Sequence, residues 1–175
     1  LMDRGVTINL NGSDGSAYST TLWTLDAAQG KIAFSYLGDI WLASENGSGA
    51  QRLTDHRARD IYPRFSPDGR SVALTLSRDG GSQLYVMDAS GGKPRRLTQS
   101  PGIDTEPVFS PDGRSIYFVS DRGGAPQIYR MAASGGAAER VTFSGTYNIS
   151  PAISPDGRWL AYTKRLANHL RVVMV

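Results

Sequence analysis

The chain has no cysteine among its 175 residues and only two histidines, His56 and His169. The first absence excludes disulfides and thiolate chemistry, and is compatible with an oxidising compartment without requiring one. The second excludes a histidine-rich metal centre by count. A serine hydrolase needs a nucleophile elbow of Gly-x-Ser-x-Gly form and a histidine base. No such elbow is present, and Gly12-Ser13-Asp14-Gly15 and Gly47-Ser48-Gly49 read as turn composition. No catalytic residue, metal site or cofactor is therefore assigned. Apolar runs of membrane-spanning length, a signal-peptide pattern and low-complexity tracts do not stand out either, so membrane insertion is not expected. The charge excess is small, a net +3 with pI near 9.3, and the arginines are spread along the chain. A basic stripe interleaved with aromatics is missing, which argues against a nucleic-acid partner.

What the chain does have is a period. Ser-Pro-Asp-Gly-Arg occurs at residues 66–70, 110–114 and 154–158, two steps of 44 residues without drift. Pro63, Pro107 and Pro151 precede each of these motifs by three residues. Arg52-Leu53-Thr54, Arg96-Leu97-Thr98 and Arg140-Val141-Thr142 recur at the same step, as do Ile40-Trp41, Leu84-Tyr85 and Ile128-Tyr129. Each unit contains four short extended runs separated by turn signals, with nothing of helical length between them. In Ser-Pro-Asp-Gly the proline presets φ, while Asp and Gly accept the remaining turn geometry. The motif closes the first hairpin of a unit, Gly80-Gly81 and Gly123-Gly124 the second, and Gly91-Gly92 and Gly135-Gly136 the third.

Four antiparallel strands every 40 to 45 residues is the pattern of a β-propeller blade. The expected fold is all-β: four-stranded blades in about four units, the fourth incomplete, arranged as an open arc. Residues 1–21 form an N-terminal segment in which Val6, Ile8 and Leu10 alternate with polar residues, as in a strand over 5–10. The blades occupy 22–59, 60–103, 104–147 and 148–175, the last without its outermost strand. Residues 5–10 completing that strand would close the ring, an arrangement less favoured than the arc because four blades must splay widely to close. An open arc exposes an apolar face at each end, so self-association through those faces is expected.

Asp68, Asp112 and Asp156 belong to the turns. Trp41, Tyr85 and Tyr129 share one position in the third strand and are expected to pack between blades, and Arg52, Arg96 and Arg140 to lie on the outer flank or pair locally. The loops entering the inner strands differ from unit to unit: Asp60, Ile61 and Tyr62, then Asp104, Thr105 and Glu106, then Tyr147, Asn148 and Ile149. Propeller geometry puts them at the mouth of the central channel. They read either as exposed loop or as a partner-binding rim with tyrosine anchors and polar contacts. Converging carboxylates would also suit a hard cation, a secondary reading.

From about residue 60 onward the motifs resemble the TolB family. Asp104-Thr105-Glu106-Pro107, Phe109-Ser110-Pro111-Asp112-Gly113, Ser120-Asp121-Arg122-Gly123-Gly124, Gln127-Ile128-Tyr129, Arg140-Val141-Thr142-Phe143 and Tyr147-Asn148-Ile149-Ser150-Pro151 look like its successive landmarks. Residues 31–58, with Gly38-Asp39-Ile40-Trp41-Leu42-Ala43, are closer to the propeller modules of tricorn-type proteases. The resemblance implies a periplasmic, non-enzymatic propeller of the Tol-Pal system that binds a peptidoglycan-associated lipoprotein (Pal) or another envelope protein. The alternative is a substrate-gating propeller of a tricorn-type or prolyl-oligopeptidase-like hydrolase whose catalytic domain lies elsewhere. The α/β domain that precedes the propeller in TolB is not seen in these residues, nor are the remaining blades of a six-bladed ring.

Overall fold

The computed structural model describes residues 7–11, 17–21, 25–78 and 80–175, and the first two stretches are described by their strand pairing alone. A hairpin, β1 (Thr7–Asn11) with β2 (Ala17–Thr21), precedes four antiparallel sheets. The first sheet contains β3 (Leu25–Ala28), β4 (Lys31–Tyr36), β5 (Asp39–Ser44) and β6 (Gln51–Arg52). The second contains β7 (Asp60–Phe65), β8 (Ser71–Arg78), β9 (Gly81–Asp88) and β10 (Arg95–Arg96). The third contains β11 (Asp104–Phe109), β12 (Ser115–Ser120), β13 (Gln127–Ala132) and β14 (Ala138–Arg140), and the fourth β15 (Asn148–Ile153), β16 (Leu160–Arg165) and β17 (Leu170–Met174). Each sheet follows chain order from its inner to its outer strand, and together they form a four-bladed propeller arrangement. Of the segment 5–10, residues 5 and 6 lie outside the described residues. Thr7–Asn11 pairs with Ala17–Thr21 instead of with the fourth sheet.

The turns form as their chemistry dictates. In the second sheet Ser66 and Asp68 join through the serine hydroxyl, Asp68 accepts the Arg70 amide at 3.1 Å, and Gly69 takes φ +68°. The same bonds recur around Asp112 and Asp156. Successive turns also stack: a Cβ on Gly69 would lie 2.6 Å from the Gln29 side chain, so the glycine is required there by space as well as by φ. The first sheet replaces these devices with two-residue turns, Gln29-Gly30 and Leu37-Gly38, all four residues in the left-handed region, as tight hairpins demand.

Hydrophobic packing lies between sheets in chain order. Ala33, Ile40 and Leu42 of the first sheet meet Phe65, Val72, Leu74, Tyr85 and Met87 of the second. Ala73, Leu84 and Leu97 then meet Phe109, Ile116, Phe118, Tyr129 and Met131 of the third. Val119, Ile128 and Val141 meet Leu160, Tyr162 and Val173 of the fourth. Tyr85 and Tyr129 thus fill the space between blades, while Trp41 packs edge-on against Tyr36 on the leading face of the first sheet. Neighbouring sheets touch through their first strands, β3 against β7, β7 against β11 and β11 against β15, so these strands converge on the axis.

Candidate functional site: the rim at the inner-strand entrances

Antiparallel alternation sends the starts of β7, β11 and β15, the loops that lead into them and the turns between second and third strands to one end of the molecule. The Ser-Pro-Asp-Gly turns occupy the opposite end. The bulge in each inner strand falls at the same place, between Ile61 and Arg64, Thr105 and Val108, and Ile149 and Ala152. Tyr62, Glu106 and Ser150 occupy it with φ of 54°, 52° and 54°, each just before a proline. A bulge re-aims side chains, and a non-glycine residue held in the left-handed region costs about 1–3 kcal/mol.

Strand register fixes the equivalences: Asp60, Asp104 and Asn148 begin the inner strands, so Ile149 matches Ile61 and Thr105, and Ser150 matches Tyr62 and Glu106. This corrects by one residue the third trio read from sequence. Tyr147 corresponds to Ile103 and lies in the entering loop, where Arg165 stacks over its ring at 5.9 Å.

The first members of the trios have no exposed surface: Asp60, Asp104 and Asn148 are each 0 % accessible. Their side chains brace the rim from inside. Asp104 takes two bonds from the Arg122 guanidinium, at 2.8 and 2.9 Å, and one from the Ser100 hydroxyl at 2.9 Å. Arg122 in turn donates from Nε to Ser120 at 2.9 Å and lies over the Phe118 and Tyr129 rings. Asp60 pairs with Arg78 at 3.1 Å, yet one Asp60 oxygen and Arg78 Nε have no partner among the described residues. Leu76 stands where Ser120 accepts from Arg122 Nε, His56 stands where Ser100 donates, and Arg78 reaches one Asp60 oxygen where Arg122 reaches both of Asp104. Burial raises the Asp60 carboxyl above its usual range, with Thr54 and Arg78 pulling the other way. In the fourth sheet the position matching Arg122 is Leu166, and the acid is replaced by Asn148, which donates to Gln127 at 2.7 Å and to the Ser144 carbonyl at 3.0 Å.

The entering loops are clamped from the third strands. Gln83 donates to the Ser100 and Gly102 carbonyls and accepts from Thr98 and the Ser100 amide. Gln127 does the same work for Thr142 and Gly145, and Asp39 accepts the His56 amide and pairs with Arg52. Thr54, Thr98 and Thr142 each accept the third-strand amide of Ile40, Leu84 and Ile128, at 2.9, 3.0 and 3.0 Å. Arg52, Arg96 and Arg140 pair locally, each donating to the carbonyl of the threonine two residues on. Sequence reading missed these braces, although Gln83 and Gln127, and Arg78 and Arg122, stand one 44-residue step apart.

On this fixed frame the second and third members of the trios stay partly accessible. Ile61, Tyr62, Thr105, Glu106 and Ile149 are half-buried and Ser150 is exposed. Glu106 accepts the Ser150 amide at 2.7 Å across the sheet boundary. Burial and the neighbouring Glu106 charge push the Tyr62 phenol up. Tyr62, Glu106 and Ser150 therefore form one row across three blades. Around it stand three exposed apolar side chains, Leu37 at 83 %, Phe143 at 77 % and Ile103 at 51 %. Among the described residues no three acidic or histidine side chains gather closely enough to hold a metal ion, and no helix is long and apolar enough to cross a membrane.

Comparison with known proteins places this geometry. Residues 36–175 match the model of the TolB beta propeller domain. The Tol-Pal system protein TolB of Bordetella pertussis is 58% identical over 50 residues, 28% of this chain and 11% of that protein. Tricorn protease homolog 1 of Streptomyces coelicolor is 40% identical over 55 residues, 31% of this chain and 5% of that protein. Among solved structures, TolB from Acinetobacter baumannii is similar with a TM-score of 0.77 at 31% identity, over 96% of this chain and 45% of that one. The chain thus spans less than half the length of that TolB.

Proposed function

Since the chain belongs to the TolB beta propeller domain family, we propose that it is a protein-binding scaffold of the cell envelope whose docking face is the rim described above. The proposed contacts are Ile61, Tyr62, Thr105, Glu106, Tyr147 and Ile149, with Asp60, Asp104 and Asn148 holding the frame beneath them. The proposed partner is a lipoprotein of the Pal kind, in keeping with the Tol-Pal system name of the Bordetella relative, and the proposed compartment is the periplasm. No catalytic step is proposed for the chain.

The observation that carries the reading is the asymmetry of the two ends. Leu37, Ile103 and Phe143, one from each of three successive units, surround the strained inner-strand row at the rim, whereas among the described residues the exposed large apolar side chains at the turn end, Trp159, Met174 and Val175, all belong to the fourth sheet. Anchors on a rigid, pre-organised frame lower the ordering cost of binding. A second reading, a substrate-gating propeller of a hydrolase, is favoured by the likeness to tricorn protease homolog 1 and leaves the rim as the face that meets substrate. The test is titration of the isotope-labelled chain with the lipid-free soluble domain of Pal. Amide shifts concentrated in residues 59–62, 103–106 and 143–150 are expected. Saturable binding that shifts the turn end instead would overturn the reading.

A further inference from the structure

We infer that the groove between the second and third sheets, at the Ser-Pro-Asp-Gly end, is a binding site for a short zwitterionic peptide with both termini free. The groove encloses about 570 Å³, a size suited to a small ligand. Its inner wall is two stacked turns that bring Asp68 and Asp112 to the same cavity, with Pro67 3.6 Å from where a Gly113 Cβ would lie. In each turn the serine hydroxyl and the arginine amide bond to Oδ1, and among the described residues Oδ2 takes no hydrogen bond. Those bonds hold both carboxyls below the usual range, so both are charged at neutral pH. The outer wall is cationic. Lys93 is in no ion pair among the described residues, and Arg95 reaches across to donate to the Ser134 carbonyl at 3.0 Å, which pins its guanidinium at the outer end. Between the walls lies an apolar floor of Val86, Met87, Phe109 and Ala133. Asp88, also on the lining, is turned onto the amide and hydroxyl of Ser90.

The polarity of the groove sets the ligand. A simple amine would meet the Lys93 and Arg95 charges, and a simple anion would meet Asp68 and Asp112. A molecule with an ammonium at one end, a carboxylate at the other and an apolar middle satisfies both walls and the floor. The length follows from the sheet: β8 and β10 are two strand spacings apart, about 10 Å, which is the span of about three extended residues. The repeat supplies the contrast. The next groove, of about 340 Å³, has the same turn acids in Asp112 and Asp156. One 44-residue step from Val86, Lys93 and Arg95, however, stand Arg130, Ala137 and Glu139. Val86 and Arg95 are cross-strand neighbours, and so are Arg130 and Glu139, which pair with each other. There the chain's own arginine stands among the turn acids and the cationic outer wall is lost. The site lies at the opposite end from the rim and does not depend on the rim's role.

The probe is the tripeptide Ala-Leu-Ala with both termini free, titrated into the isotope-labelled full chain and followed by amide shifts. The controls are the same peptide acetylated at its N-terminus and the same peptide amidated at its C-terminus. The variant Val86→Arg puts into the groove the side chain that the third sheet carries at the equivalent position, Arg130. Saturable shifts in residues 66–71, 86–95 and 109–113 are expected in the millimolar range. Each capped peptide should bind about tenfold more weakly through loss of one charged contact. Val86→Arg is expected to remove the shifts while keeping a dispersed amide spectrum. Equal binding of the free and capped peptides would mean unspecific apolar contact and would overturn the inference. So would no saturable shift at millimolar peptide, shifts centred on the rim, or unchanged binding by a folded Val86→Arg. Should that variant fail to fold, the capped peptides still decide the question on the unaltered chain.

Discussion

Asp104 and Arg122 show how a charge is kept inside this fold: bonds from Arg122 Nη2 to both carboxylate oxygens, a serine on each partner, and two aromatic rings beneath the guanidinium. Removing one partner of such a pair leaves the other uncompensated, so Asp104→Ala is expected to destabilise the chain by about 3 kcal/mol. The fourth sheet supplies the compensated alternative in Asn148 and Leu166. The double change Asp104→Asn with Arg122→Leu should recover most of the loss, and denaturant midpoints for the single and double variants check this. The incomplete pair at Asp60 predicts the opposite outcome, a stabilising change. His56→Ser puts a hydroxyl beside the under-bonded Asp60 carboxylate, at the position from which Ser100 donates to Asp104. A gain of about 1 kcal/mol is expected, with the Asp60 carboxyl brought back toward its usual range, readable by denaturation and by carboxyl titration in NMR. His56 is exposed, so the change does not disturb packing.

At the scale of the element, strands and turns were legible because their signals are local and repeat: Pro-Asp-Gly specifies its turn wherever it stands. The predicted hairpins at 66–70, 110–114 and 154–158 formed with the expected hydrogen bonds, and the shorter turn of the first unit reads as Leu37-Gly38. The left-handed bulges at Tyr62, Glu106 and Ser150 were not legible, because nothing in a tyrosine or glutamate announces positive φ. The depth of Asp60 and Asp104 was hidden for a related reason. An acid at a loop end reads as exposed until its arginine, 18 residues away, is seen to return beside it. The turns also predict a pH response. Asp68, Asp112 and Asp156 are held below the usual carboxylate range, chiefly by the serine hydroxyl two residues before each. Their contribution is fully present above the unfolded-state value and is lost as pH falls through the lowered folded values. Asp60, raised, has the opposite sign: its ionisation disfavours the fold, and that penalty is relieved as pH falls through its raised value. Stability measured from pH 7 to pH 2 should therefore fall in the acid range. Replacing the three turn aspartates by asparagine should flatten that fall, and Asp60→Asn should not.

For the whole molecule, the repeat produces two ends of different character. One is an array of stacked, self-satisfied turns whose exposed apolar side chains are confined to the fourth sheet, and the other combines strained backbone and clamped loops with exposed apolar side chains from three successive units. Composition alone does not separate them, since both ends carry charge and both carry glycine. Only the strand directions and the register show which side chains gather where, and they place Tyr62 and Phe143 with the rim and Trp159 with the turns. The central claim is that a protein partner docks on the rim. Its most direct test is calorimetric titration of the soluble Pal domain into the chain and into Tyr62→Ala, Phe143→Ala and Trp159→Ala, with circular dichroism confirming that each variant is folded. The account predicts that each rim substitution weakens binding by about 1–3 kcal/mol, the range of interface anchors, and that Trp159→Ala leaves it within about twofold. Loss of affinity on Trp159→Ala with the rim variants unchanged would contradict it.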